Sequence, residues 1–191
     1  MSKMVGILLA AGSSSRFGSN KLLHSLPDGT AIGVAAARNL QEALSNSIAV
    51  VPQGDLELRK AFSNLGMRVV DNPLASHGMS TSIVAGINAS TDADGWVIAL
   101  ADMPWVKPET IRLLVEALKH GSEIVVPEYG GKRGNPVGFA SKWKDPLCSL
   151  SADKGARNLI KSHAREVMRI NVVDNGVLRD IDILRDVENT F

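Results

Sequence analysis

The chain has 191 residues, 45% of them hydrophobic and 21% charged, with a formal net charge of +1. Such a length buries about 70% of the unfolded surface around one core, which predicts a single domain over residues 1–191. Near-neutral charge argues against a dedicated surface for nucleic acid or an anionic membrane, so any cationic site is local.

A single cysteine, Cys148, excludes an internal disulfide and fits a reducing compartment. Residues 4–11 imitate the apolar core of a signal peptide behind Lys3, but the run gives way to a charged loop and reads as a strand. No other apolar run approaches the roughly 18 residues of a membrane span, and the expected location is cytoplasmic.

The run Met4 to Leu9 lacks helical spacing and predicts a buried first strand leading into a glycine- and serine-rich loop that ends at Lys21. In that loop Gly12 and Gly18 permit φ > 0, which would turn successive N–H groups toward one point, while Arg16 and Lys21 add fixed positive charge. An ionised oligophosphate suits such a loop; a flexible turn after the strand is the structural alternative. Two commoner phosphate loops fail on spacing. A Walker loop needs a second glycine where Phe17 stands, and the serines after Gly12 break the dinucleotide fingerprint.

Pro27-Asp28-Gly29 marks a tight turn before a helix from Ala31 to Leu44, and the second strand is Ser47 to Val51. Asp55 caps a helix with Leu58, Phe62 and Leu65 on one face, Gly66 ends it, and Met67 to Val70 is the third strand. This alternation predicts a parallel sheet. Asp71 to Ser82 reads as a polar loop at the carboxyl end of a strand, ahead of a helical run from Ile83 to Ala89. Its hydroxyl and N–H groups suit a ribose, a base edge or a phosphate, with helix capping by Ser80 or Ser82 as the alternative.

The fourth strand, Trp96 to Leu100, runs out at Asp102, a carboxylate placed to hold Mg²⁺ on a triphosphate or else to cap the helix Pro108 to Lys119. Strand five, Ile124 to Pro127, precedes a basic turn at Lys132 and Arg133 and a further strand from Val137 to Ala140. A helical piece surrounds Trp143, and Asp153 can cap a helix that turns Ala156, Leu159 and Ile160 inward. Val167 to Val173 is a late strand. Asp180-Ile181-Asp182 follows it, and Asp182 could either join Asp102 at a metal or cap a helix. The four histidines and Cys148 form no zinc spacing.

The pattern Leu9-Ala10-Ala11-Gly12-x-Ser14-x-Arg16-x-Gly18-x-x-Lys21 resembles the signature loop of the MobA-like nucleotidyltransferases, which cap molybdopterin with a nucleotide. Three further segments match in order: Leu100-Ala101-Asp102-Met103-Pro104, Arg133-Gly134-Asn135-Pro136-Val137, and Asp180-Ile181-Asp182, the last without the Thr-Pro-Glu of the family pattern. Asp153 through Arg157 matches the motif of cofactor cytidylyltransferases, with Ala152 in place of a glycine.

The resemblance implies an α/β fold: a single-domain three-layer α/β/α unit with a mostly parallel sheet, Rossmann-like, transferring a nucleoside monophosphate to a phosphorylated acceptor. It implies nucleotide contacts at Leu9, Ala10, Ala11, Gly12, Ser13, Ser14, Lys21, Asn72, Gly78, Ser80 and Ser82. Acceptor contacts fall on Arg133 and Asn135, catalytic roles on Arg16, Lys21 and Asp102, and Mg²⁺ on Asp102 and Asp182. The L-A-A-G loop resembles the cytidylyl-transferring branch, and a methyl at Ala11 leaves less room for a purine, so CTP is the expected donor. The implied acceptor is molybdenum-bound molybdopterin and the implied protein partner a molybdenum hydroxylase, with no nucleic-acid or membrane partner. A transferase for a sugar phosphate and a non-catalytic nucleotide-binding module are the competing readings.

Overall fold

Six consecutive apolar residues, Met4–Leu9, form strand β1, and all six are buried because both faces of the strand are covered. A computed structural model of the chain describes residues 2–12, 20–150 and 155–188. In it β1 pairs in parallel with β2 (Ser47–Pro52) on one side and β4 (Gly95–Leu100) on the other. With β3 (Arg68–Asn72), β5 (Ile124–Tyr129), β6 (Lys132–Arg133) and β7 (Val137–Ala140) the order is β3-β2-β1-β4-β7-β5-β6, and β8 (Val167–Asn171) pairs with β5. Among the described residues this makes one eight-stranded sheet, parallel except around β7 and β6.

Alternation of side chains along the strands divides the core into two layers. Leu8, Ala49, Val97 and Val125 face helices α1 (Ile32–Ala43), α2 (Leu56–Ser63) and α4 (Pro108–Lys119). Ile7, Leu9, Val50, Ile98 and Val126 face α3 (Met79–Asn88), α5 (Lys144–Cys148) and α6 (Arg157–Ser162). A short last helix, α7, spans Leu184–Glu188. No helix among the described residues is long and apolar enough to cross a membrane.

The expected helix at Pro108–Lys119 and strand at Val137–Ala140 are found with those bounds. Asp55 caps α2 as expected, its Oδ1 accepting from the Leu58 N–H at 3.0 Å. Several other boundaries move by one residue or more. Helix α3 begins at Met79 rather than Ile83, so Ser80 and Ser82 lie in its first turn. Strand β3 runs on to Asn72, and β8 stops at Asn171 instead of Val173.

β1 and β4 are aligned so that Leu9 stands opposite Leu100, and their following loops emerge side by side. Here the chain order reverses, since β1 is followed in space by β2 on one side and β4 on the other; open α/β sheets place their ligands at such a switch point. Beyond β8 the chain returns to this edge as a strap over residues 172–182. Asp174, 3% exposed, accepts from the Lys107 N–H at 2.9 Å, the Thr110 hydroxyl at 2.7 Å and the Gly176 N–H at 3.0 Å. Val177 O accepts from the Asn135 N–H at 2.9 Å, and the Ile181 N–H donates to Asp102 O at 2.9 Å. The Arg179 guanidinium stacks 4.1 Å from the Trp105 ring centroid.

Gly176 makes the strap's closest approach, for a Cβ built there would overlap the Trp105 carbonyl oxygen, and backbone cannot yield as a flexible side chain would. Gly176→Ala should therefore destabilise the protein by about 1–3 kcal/mol, read as a lower urea midpoint. An unchanged midpoint would show that the strap is not pressed against residue 105.

Candidate active site

Lys21 opens a single 3-10 turn, Lys21–Leu23, directly after the glycine- and serine-rich loop. Asn20 holds that turn in place: its Oδ1 accepts from the Leu22 N–H at 3.3 Å and its Nδ2 donates to Asp55 Oδ2 at 3.0 Å. Leu22 is buried beneath it. The lysine itself is 9% exposed, and an ammonium so placed needs partners to offset its lost hydration. Among the described residues it faces three oxygens. Nζ donates to Asp102 Oδ2 at 2.8 Å and Ile181 O at 2.8 Å, and lies 3.4 Å from Asp182 Oδ1.

The two aspartates, 81 and 161 residues distant from Lys21 in sequence, thus meet at one point on one sheet edge. Asp102 arrives on the loop after β4 and Asp182 on the strap. Ahead of α7, Asp186 Oδ2 accepts the N–H groups of Asp182 at 2.8 Å and Ile183 at 2.9 Å. The Asp182 carboxylate also faces Lys21.

Hard oxygen donors converging on one positive charge are what Mg²⁺ or Mn²⁺ takes. No cluster of three or more His, Cys, Asp or Glu side chains gathers among the described residues. Two carboxylates alone fit a divalent ion whose remaining ligands come from phosphate and water, and not a metal caged by protein.

Beside this point opens a cavity of about 520 Å³. Leu9, Ala11, Gly12, Lys21, Gly78, Ser82, Asp102 and Asp182 line it, uniting eight of the residues expected at the site. Gly12 corrects one expectation, because it does not adopt a positive φ. No described atom lies within 4 Å of the position a Cβ would take there, so its missing side chain leaves open space on the cavity wall. Backbone can approach a ligand closely at such a place.

Other expected residues stand behind the wall. Ala10 is buried and its N–H donates to Val50 O at 2.9 Å. Ser80 is 1% exposed and borders no cavity among those described. Asn72 spends its side chain on the loop, with Nδ2 donating to Thr81 Oγ1 at 2.9 Å and Ser82 Oγ at 3.0 Å and Oδ1 accepting from the Leu74 N–H at 2.9 Å. It positions Ser82. Ser13, Ser14, Arg16 and Gly18, and the Asp153 cap, lie outside the described residues.

Arg133 and Asn135 line a second cavity, of about 690 Å³, which shares Leu9, Met79 and Leu100 with the first. Burial, then the charges of Arg157 and Arg169, hold the Arg133 guanidinium below its ordinary value. Arg157 and Lys161 also border this cavity and were not among the expected site residues. The Gly155-Ala156-Arg157 match could have found the first, and the second stands one helical turn further on the same face.

A switch-point cavity with a cation and two carboxylates at its mouth defines, with this sheet, a nucleotidyltransferase. Residues 6–167 match the MobA-like NTP transferase domain, and the chain belongs to that family. It is 31% identical over 193 aligned positions to the purine catabolism protein PucB of Bacillus subtilis (strain 168), covering 94% of this chain and 91% of the relative. A probable molybdenum cofactor guanylyltransferase of Pelotomaculum thermopropionicum is also 31% identical, over 100% of this chain and 87% of its own. A crystal structure of Rv0371C from Mycobacterium tuberculosis H37Rv in complex with manganese superposes with a TM-score of 0.81 at 26% identity, covering 98% of this chain and 97% of that one.

Lys21→Met should remove the counterion that Asp102 and Asp182 share. With the two carboxylates 23% and 47% exposed, solvent screens part of the effect, and the expected loss of stability is about 1–2 kcal/mol. The same variant should bind Mn²⁺ more tightly than the parent without nucleotide, because Lys21 competes for the same oxygens. Weaker Mn²⁺ binding in a calorimetric titration would contradict this.

Proposed function

We propose that this protein transfers CMP from CTP to the terminal phosphate of molybdenum-bound molybdopterin, with release of pyrophosphate. The observation that carries the reading is the meeting of Lys21, Asp102 and Asp182 at the mouth of the switch-point cavity. The acceptor fits what several relatives are named for, molybdenum cofactor guanylyltransferases. The base preference rests on Ala11, which lines the donor cavity and whose methyl would leave less room for a purine.

An ionised acceptor phosphate is already a nucleophile, so the step needs no general base, in keeping with the absence of histidine from the described residues lining either cavity. An acceptor oxygen forms the new bond to the α-phosphorus as the bond to the bridging oxygen breaks. The electron pair leaves with pyrophosphate. The protein's work is positioning and charge neutralisation. Open backbone at Gly12 leaves room for the β and γ phosphates, and the resemblance adds Ser13, Ser14 and Arg16 to that task. Lys21 can swing its ammonium on a flexible four-carbon stem from the carboxylates to the phosphates, offsetting charge that grows on the leaving group.

Asp102 and Asp182 would hold the divalent cation, Mg²⁺ in this reading, which neutralises charge on the α-phosphate when bound. Leu9, Met79 and Leu100 form an apolar divide between the cavities that keeps water from competing with the acceptor oxygen. Gly78 and Ser82 lie on the donor side and Arg133 and Asn135 on the acceptor side. The reaction belongs in the cytoplasm, with a molybdenum hydroxylase receiving the finished cofactor.

Pyrophosphate release measured with each of four nucleoside triphosphates, with and without molybdenum-loaded molybdopterin, tests the reading. Release should need CTP and the loaded acceptor together. Asp102→Asn and Asp182→Asn should each lower the rate about 10²-fold or more while CTP still binds. Equal release with GTP would overturn the base assignment, and tight nucleotide binding without turnover would overturn the transferase itself.

A further inference from the structure

We propose that the acceptor carries a second anionic group, remote from its attacking phosphate, and that Arg133, Arg157 and Lys161 bind it. This rests on the transferase reading and narrows the acceptor to one chemical class: a phosphate ester that carries another anionic group at a distance from the phosphate.

The acceptor cavity is the inner part of a longer cleft. Its outer part, of about 260 Å³, shares Arg133, Arg157, Ile160 and Lys161 with the inner part and continues to Arg169 at the rim. The residues shared with the donor cavity are different ones, Leu9, Met79 and Leu100. Along the cleft the order is therefore donor site, apolar divide, then cations. Ile98, Leu100 and Phe139 supply the apolar lining of the inner part.

Arg133 arrives on β6, and Arg157 and Lys161 stand one turn apart on α6. Among the described residues neither Asp nor Glu lines either part of the cleft. Among the described residues none of the three cations has an acidic partner within ion-pair distance, whereas Arg169 is bound to Glu128 at 2.7 Å. The half-buried Arg133 has given up hydration and sits near two further arginines, so its surroundings oppose its charge from both causes. An anion relieves both. Guanidinium and ammonium groups with unused donors are suited to phosphate or another multi-oxygen anion. A single phosphate held at the donor end would leave this group of cations unmatched, which sets the class apart from a simple sugar monophosphate.

The experiment titrates the full chain with alkyl monophosphates and with α,ω-alkanediol bisphosphates of graded length. At least one bisphosphate should bind about tenfold or more tightly than the monophosphate of the same length, since its second group binds at high effective concentration. In the double variant Arg157→Gln, Lys161→Gln that preference should vanish, with the melting temperature and CTP affinity unchanged. Both side chains are in exposed positions, so folding is not at stake. A wild-type protein that binds both probe classes equally, or a preference that survives the double variant, would overturn the proposal. Failure of pyrophosphate release alongside an intact bisphosphate preference would sink the transferase reading and leave the anion site standing.

Discussion

A lysine ammonium taken almost wholly out of water must be answered by oxygens, and in this protein the answer comes from two carboxylates and a carbonyl brought from distant parts of the chain. That requirement joins elements that share no local contact. The turn holding Lys21 is fixed by Asn20 and Leu22, Asp102 by the end of β4, and Asp182 by the strap. A metal taken by the two carboxylates would compete with the Lys21 ammonium for the same oxygens.

The sheet determines where this can happen. Register between β1 and β4 sets Leu9 opposite Leu100, so the two strands end side by side at the crevice. The strap then closes the edge, tied to α4 through Asp174 and to the β4 loop through Ile181. Beyond the crevice lies the longer, cationic cleft. Leu9, Met79 and Leu100 form the boundary between the two. A transferase benefits from such a layout because two adjoining cavities let donor and acceptor meet along a shared apolar edge.

Much of the fold could be read from local patterns. Strong apolar periodicity fixed the bounds of α4, and the uninterrupted run Met4–Leu9 announced a strand buried on both faces. Boundaries moved where side-chain bonds decided them: Thr81 donates to Gly78 O at 2.8 Å and draws α3 back to Met79, and no periodicity reports that bond. Ser80 and Asn72 are polar and stand after a strand; in the fold Ser80 is buried in a helix and Asn72 bonds within its own loop. Asp182 has two readings by sequence alone, and what the fold adds is its place beside Lys21, 161 residues away in the chain. Arg157 and Lys161 were harder to assign, since their company with Arg133 depends on how α6 and β6 come together.

The most direct measurement is a crystal structure of the protein grown with CTP and Mn²⁺, with anomalous scattering used to locate the metal. The account predicts a manganese peak bound by both Asp102 and Asp182 and by triphosphate oxygens, with the Lys21 ammonium moved onto the phosphates. A peak away from those carboxylates, or nucleotide bound while Lys21 still bridges them, would contradict it.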